Sequence, residues 1–157
     1  MNKETKEKTC AFYASDYHFE MISLPFIERN LAENKEIIVL TENNLEDTIK
    51  IIIEKVNLQE KNKSNILKIN WNNNDLEKFK QIKNNIENNK NITIFIKGKS
   101  NYIKNINNNI EKWTKNNNKI KIIDCYDIEE VGSNLNIITS KYKNVLSTAG
   151  ERKIENL

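Results

Sequence analysis

Residues 9–27 read Thr9-Cys-Ala-Phe-Tyr-Ala-Ser-Asp-Tyr-His-Phe-Glu-Met-Ile-Ser-Leu-Pro-Phe-Ile27, and the fold class turns on how this stretch divides. Cys10 to Ala14 is an apolar run of strand length. It breaks at Ser15-Asp16, two residue types whose side-chain oxygens accept from the free N–H groups of a helix start. Phe19, Ile22, Phe26 and Ile27 then recur at helical spacing. The spacing predicts a helix from Asp16 to Ala32, with Pro25 kinking it or marking a short irregular start. A strand running straight into a helix is the first half of a strand–helix–strand unit, and such sheets place ligands beyond the C-terminal ends of their strands. Ser15, Asp16, His18 (the only histidine) and Glu20 therefore form the first candidate corner.

Working outward, the same alternation repeats. Glu36–Thr41 is apolar on both faces, as a central parallel strand should be. A helix opening near Asn44 is expected to bury Leu45, Ile49, Ile52 and Val56. After a polar loop, Gln59 to Ser64, the run Ile66–Trp71 reads as a third strand. Asn74 or Asp75 then caps a helix with Leu76, Phe79, Ile82 and Ile86 on one face. Ile92–Ile96 reads as a strand, and Ile103, Ile106, Ile110 and Trp113 as the apolar face of a helix that starts near Ser100. Ile120–Tyr126 is the next strand, a helix with Val131, Leu135 and Ile138 follows, and Val145-Leu146 forms a short last strand. The expectation is a single three-layer α/β domain over residues 1–157, with a mainly parallel five- or six-stranded sheet and helices on both faces. Residues 1–8 and 151–157 read as flexible ends, and strand order is not encoded in the pattern.

A chain of 157 residues can bury a real core. No run approaches the roughly 20 apolar residues of a membrane span, and Met1–Lys8 lacks the apolar segment of a secretion signal. A cytoplasmic location is expected. The net charge is only +3, with lysines and glutamates alternating along the helices. That is a solvated surface rather than a nucleic-acid footprint. Cys10 and Cys125 lie in apolar runs and read as reduced core thiols, not as a redox pair or metal site. The asparagine clusters at 72–74, 107–109 and 116–118 fall on expected loops or exposed helix faces and are assigned no chemistry.

The candidate chemistry lies at the strand ends. A phosphate-binding loop after the first strand would need glycines whose backbone N–H groups wrap the anion. None is present, and Asp16 would repel a phosphate. Lys97-Gly98-Lys99-Ser100 mimics the tail of such a loop, but the residue five positions before Gly98 is Thr93, inside the strand. Gly98 reads as the turn and Ser100 as a helix cap; an anion resting there beside Lys97 or Lys99 is the alternative. Thr41-Glu42 and Asp124-Cys-Tyr-Asp127 end two further strands, so their acids should meet Asp16 along one edge. Clustered carboxylates can hold Mg²⁺ or divide into acid and base, although Glu42 and Asp127 also stand at helix starts, where acids are favoured structurally. A Cys–His nucleophile is disfavoured because both thiols read as buried.

Several segments together resemble the MEDS domain, the sensory domain of DcmR-like regulators of methanogens and methylotrophs. Cys10-Ala-Phe-Tyr-Ala-Ser-Asp, Leu24-Pro-Phe-Ile and Asn34-Lys-Glu-Ile-Ile-Val-Leu look like that family's first strand, kinked helix and second strand. Ile122-Ile-Asp-Cys-Tyr-Asp-Ile and Tyr142-Lys-Asn-Val-Leu look like its closing segments. The resemblance implies a RecA/KaiC-like fold that has lost its phosphate loop and acts in signalling. The family's glycine near the end of the first helix is replaced within Arg29-Asn30-Leu31, and no DNA-binding or kinase module is expected within these 157 residues.

The expectation is therefore a non-enzymatic regulatory domain that binds a small molecule or a regulatory protein at the C-terminal edge of its sheet. No catalytic residue, cofactor or resident metal is assigned. The ligand-binding set is Ser15, Asp16, His18, Glu20, Thr41, Glu42, Lys97, Lys99, Ser100, Asp124 and Asp127, with His18 (unperturbed pKa near 6.5) as a source of pH response. The alternatives are a nucleotide- or phosphate-binding enzyme on the same edge and a structural interaction module. The last would associate, for instance as a homodimer, through a patch including Tyr17, Trp71 or Trp113.

Overall fold

The computed structural model describes residues 8–156, and over that range strands and helices alternate. In order they are β1 (Thr9–Tyr13), α1 (Asp16–Ala32), β2 (Glu36–Thr41), α2 (Glu46–Lys55), α3 (Glu60–Leu67), α4 (Asp75–Glu87), β3 (Ile92–Gly98), α5 (Ser100–Thr114), β4 (Ile120–Asp127), α6 (Ile128–Val131), α7 (Leu135–Thr139), β5 (Asn144–Ser147) and β6 (Gly150–Lys153). The six strands form one sheet in the order β2-β3-β4-β1-β5-β6. Every neighbouring pair is parallel except β5–β6.

Two apolar layers cover the sheet. One joins Ala11, Val39, Phe95, Ile123 and Cys125 to Phe19, Ile22 and Ile27 of α1, Ile49 and Ile52 of α2, and Ile66 of α3. The other joins Cys10, Ile38, Ile94, Ile96 and Tyr126 to Ile82 of α4, Ile103, Ile106 and Ile110 of α5, and Val131 and Ile138 beyond β4. Alternation along each strand sends successive side chains to opposite layers. Each fully buried isoleucine contributes about 1.5–3 kcal/mol.

Register aligns the strand ends. Thr41 lies opposite Lys97, Gly98 opposite Tyr126, and Tyr13 opposite Asp127, so β2, β3, β4 and β1 finish along one rim. The outer pair of this group, β2 and β1, leads into helices of the first layer. The inner pair, β3 and β4, leads into helices of the second. Chains that leave toward opposite faces open a crevice between them, the usual ligand position in such sheets.

Three expectations are corrected. Ile66–Trp71 is not a strand: its first residues complete α3, and the segment then turns to bury Trp71, whose Nε1 donates to the Ile66 carbonyl at 2.9 Å. A short apolar run is consistent with either a strand or a buried helix end, and here side-chain burial under the first layer decided for the helix. Leu76 is 74% exposed, because α4 turns Lys78, Ile82 and Asn85 inward instead. Lys78 is fully buried, and its ammonium donates to the carbonyls of Val39, on the edge strand β2, and Asn72. This satisfies and covers a sheet edge that would otherwise be open. The C-terminal segment is not a loose end through Lys153, since residues 150–153 pair with β5 as β6. The expected flexible stretch 1–8, apart from Lys8, and Leu157 lie outside the described residues.

The smaller departures are local. The helix expected around Val131–Ile138 is divided by a 3₁₀ turn at Gly132–Asn134, and α1 runs unbroken through Pro25. Asn34, Asn89 and Asn116 all have positive φ, just beyond the ends of α1, α4 and α5. With only three glycines in the chain, asparagine supplies the left-handed residue that closes these helices. Among the described residues no helix is long and apolar enough to cross a membrane.

Candidate functional site

The rim holds an open cleft of about 430 Å³, lined by residues 13–16 after β1, Glu42 and Asn43 after β2, Lys97–Lys99 at the end of β3, and Asp127 at the end of β4. Its base is a three-residue knot. Lys97 is 2% exposed, and its ammonium meets Asp16 Oδ1 and Asn43 Oδ1, each at 2.8 Å. Asn43 Nδ2 closes the triangle by donating to Asp16 Oδ2 at 2.8 Å. The Thr41 hydroxyl steadies Asn43 by donating to its carbonyl at 2.8 Å. The ammonium also lies over two rings, with Nζ 4.6 Å from the Tyr13 centroid and 5.5 Å from that of Phe19. A buried ammonium is tolerable because a carboxylate, an amide oxygen and two aromatic faces surround it.

The two nearby helix starts are occupied by the chain's own groups. At α1 the Ser15 hydroxyl oxygen accepts from His18 N at 3.1 Å, and His18 Nδ1 accepts from Ala14 N at 2.8 Å. That second bond requires a lone pair on Nδ1, so the ring proton is on Nε2. At α5 Glu42 Oε1 accepts from Lys99 N at 3.0 Å, while Glu130 Oε2 accepts from Ser100 N at 3.3 Å and from its hydroxyl at 2.9 Å. Two carboxylates thus stand where a phosphate would rest on a helix N-terminus. Gly98 is required here by close approach. A Cβ on it would lie 2.7 Å from Tyr102 Cδ2 and 2.9 Å from Glu42 Oε1.

Of the expected residues, Ser15, Asp16, Glu42, Lys97, Lys99 and Asp127 line the cleft. Thr41, His18 and Ser100 support it from just behind, through the bonds described. Asp127 also caps α6, its Oδ1 accepting from Glu129 N at 3.0 Å. Two residues are not in it. Asp124 faces the second layer, where it accepts from Asn107 Nδ2 at 3.0 Å and Tyr142 Oη at 2.6 Å. The Tyr142 oxygen in turn lies 2.6 Å from that of Tyr126. Burial raises the Asp124 carboxyl above the usual range, and the Tyr142 and Asn107 donors only partly offset it.

Glu20 lies between α1 and α2, fully buried, and neither carboxylate oxygen has a hydrogen bond. Burial raises its pKa. The Thr48 hydroxyl lies near enough to favour the anion, but its proton goes to the Leu45 carbonyl.

The sequence reading missed Tyr13, Asn43 and Glu130. Asn43 had a legible signal, since it follows Glu42 directly at a strand end. The other two depend on which loops face one another. The expected thiol inertness agrees with the burial that pushes Cys10 up to about 12 and Cys125 well above its ordinary value. Among the described residues no three of His, Cys, Asp and Glu approach closely enough to share a metal ion, and Asp124 faces away from the cleft that Asp127 lines, so the acids at the strand ends do not all converge on one edge. Of the three aromatic residues considered for an interaction patch, only Tyr17 is exposed. Trp71 is buried, and Trp113 packs edge-on to Phe79. No protein-family model matches the chain, and neither a curated protein nor a solved structure is significantly similar to it.

Proposed function

We propose that the domain is a non-enzymatic regulatory module that binds a small ligand in the cleft at the C-terminal rim of its sheet and passes the signal to a partner or to a second copy. The observation carrying this reading is the Lys97–Asp16–Asn43 knot under an open cleft. It ties the start of α1, the loop after β2 and the end of β3 through three polar contacts, so a ligand that competes for any of them must shift α1 or that loop. The resemblance to the MEDS sensory domain supports the same reading. The nucleotide-enzyme alternative is disfavoured by Glu42 and Glu130, which already occupy the α5 amides.

The test is thermal unfolding of the full chain against a panel of small anions, cations and neutral metabolites, with nucleotides plus Mg²⁺ as the enzymatic arm. A ligand present at 100 times its Kd adds about 2.7 kcal/mol of stability. Asp16→Ala is expected to abolish that gain while leaving a cooperative unfolding transition. An identical gain in the variant rules out the knot as the sensing element, and a nucleotide response supports the enzyme instead.

A further inference from the structure

The inner wall of the cleft presents a phenol whose ring is buried and whose hydroxyl has no hydrogen bond among the described residues. Tyr13 ends β1, is 7% exposed and lines the cleft. Lys97 covers the face of its ring, yet among the described residues no hydrogen bond reaches its hydroxyl. Burial, and then Asp127, Cys125, Asp16 and Glu42 around it, hold the phenol well above its ordinary pKa, so it stays a neutral O–H. The ring is buried but the hydroxyl itself opens on the cleft, where water or a ligand can pair with it.

The neighbouring carboxylates are half satisfied. Glu42 Oε1 is committed to Lys99 N and Asp127 Oδ1 to Glu129 N, each at 3.0 Å. Their second oxygens, Glu42 Oε2 and Asp127 Oδ2, have no hydrogen bond among the described residues. Lys97 does not offset them toward a ligand, since Asp16 and Asn43 hold its ammonium beneath the cleft. The open volume is therefore faced by these acceptors and one phenol, with Lys99 and Ser15 also on its lining. Among the described residues no third His, Cys, Asp or Glu joins these carboxylates closely enough to complete a metal site, whereas a molecule with several N–H groups can engage separate acceptors.

We propose that the cleft takes a small organic cation, a primary amine or guanidinium, whose N–H groups engage Tyr13 Oη, Glu42 Oε2 and Asp127 Oδ2. This rests on the cleft being a ligand site. A guanidinium offers five N–H donors in a fixed fork and an ammonium three, and neither brings an acceptor that would clash with the acids.

The experiment is calorimetric titration of the full chain with putrescine and with methylguanidine, with inorganic phosphate and MgCl₂ as the contrasting arms. Tyr13→Phe keeps the ring over Lys97, and Asp127→Asn keeps an oxygen to cap α6, so both variants should melt like the parent. Millimolar or tighter binding of either cation, weakened about tenfold in each variant, is the expected result. No heat with either cation, or equal affinity in parent and both variants, overturns the proposal. If phosphate binds instead and Asp16→Ala abolishes that binding, the cation assignment fails while the cleft remains a ligand site. If the cations bind but Asp16→Ala leaves their affinity unchanged, the cation assignment stands and the sensing role of the knot fails.

Discussion

Lys97 and Asp124 lie on adjacent strands and are both buried, yet they have opposite fates. Lys97 pairs in register with Cys125, and Asp124 with Ile96, so the two charges are one residue out of step and face opposite sides of the sheet. Lys97 meets the first layer at the rim, and its partners Asp16 and Asn43 open on the cleft. Asp124 meets the second layer three residues before its strand ends, enclosed by Asn107 and the Tyr142–Tyr126 pair. Water reaches the partners of the first network. The second keeps its carboxylate buried behind half-buried Asn107 and Tyr142 and serves the fold. Polar character at a strand end therefore does not make a site; parity and depth decide.

The largest expected effect comes from breaking the buried network. Asp124→Ala removes a buried acceptor from two half-buried donors and should cost about 2 kcal/mol in denaturant unfolding. A loss below about 1 kcal/mol would show that water enters this region and that the two networks are alike. At the rim, Lys97→Met removes one partner from a half-exposed carboxylate that keeps Asn43 and solvent. The expected loss is about 1 kcal/mol, discounted for screening, so a cost equal to that of Asp124→Ala would erase the contrast between open and buried networks.

Glu20 sharpens the comparison from the other side, as a buried carboxylate that no hydrogen bond reaches while the nearby Thr48 hydroxyl donates to the Leu45 carbonyl. Its pKa is raised by burial above the ordinary 4.5, so the folded state binds this proton more tightly than the unfolded chain does. The resulting stability is fully present below the unfolded value and is lost as pH rises through the folded one. Glu20→Gln should therefore stabilise the domain at neutral pH by about 1 kcal/mol and flatten the fall in stability between acid and neutral pH. A variant less stable than the parent at pH 7 would mean that the anion has a partner in solution.

Much of this molecule was legible from residue order. The three-layer class, five of the six strands and the gathering of Asp16, Glu42 and Asp127 on one rim follow from apolar runs that alternate with helical periodicity. The lack of glycines after β1 already excluded a phosphate loop there. By contrast, Ile66–Trp71 was misread because six residues are too few to separate strand from helix end without knowing what they pack against. β6 was missed because Gly150-Glu-Arg-Lys153 has no apolar run, and an edge strand paired on one side needs none.

Local periodicity, turn chemistry and the scarcity of glycine thus determined the elements and the direction in which the strands point, since these depend on neighbours a few residues apart. Only the tertiary structure decided that β1 lies between β4 and β5, that Asp124 turns away from the rim, that Glu42 and Glu130 fill the α5 amides, and that Tyr13 keeps an unbonded hydroxyl in the cleft. Those outcomes depend on strand order and on a register in which a shift of one residue exchanges the two faces of the sheet. They arise between residues tens of positions apart, where no local pattern in the chain records them.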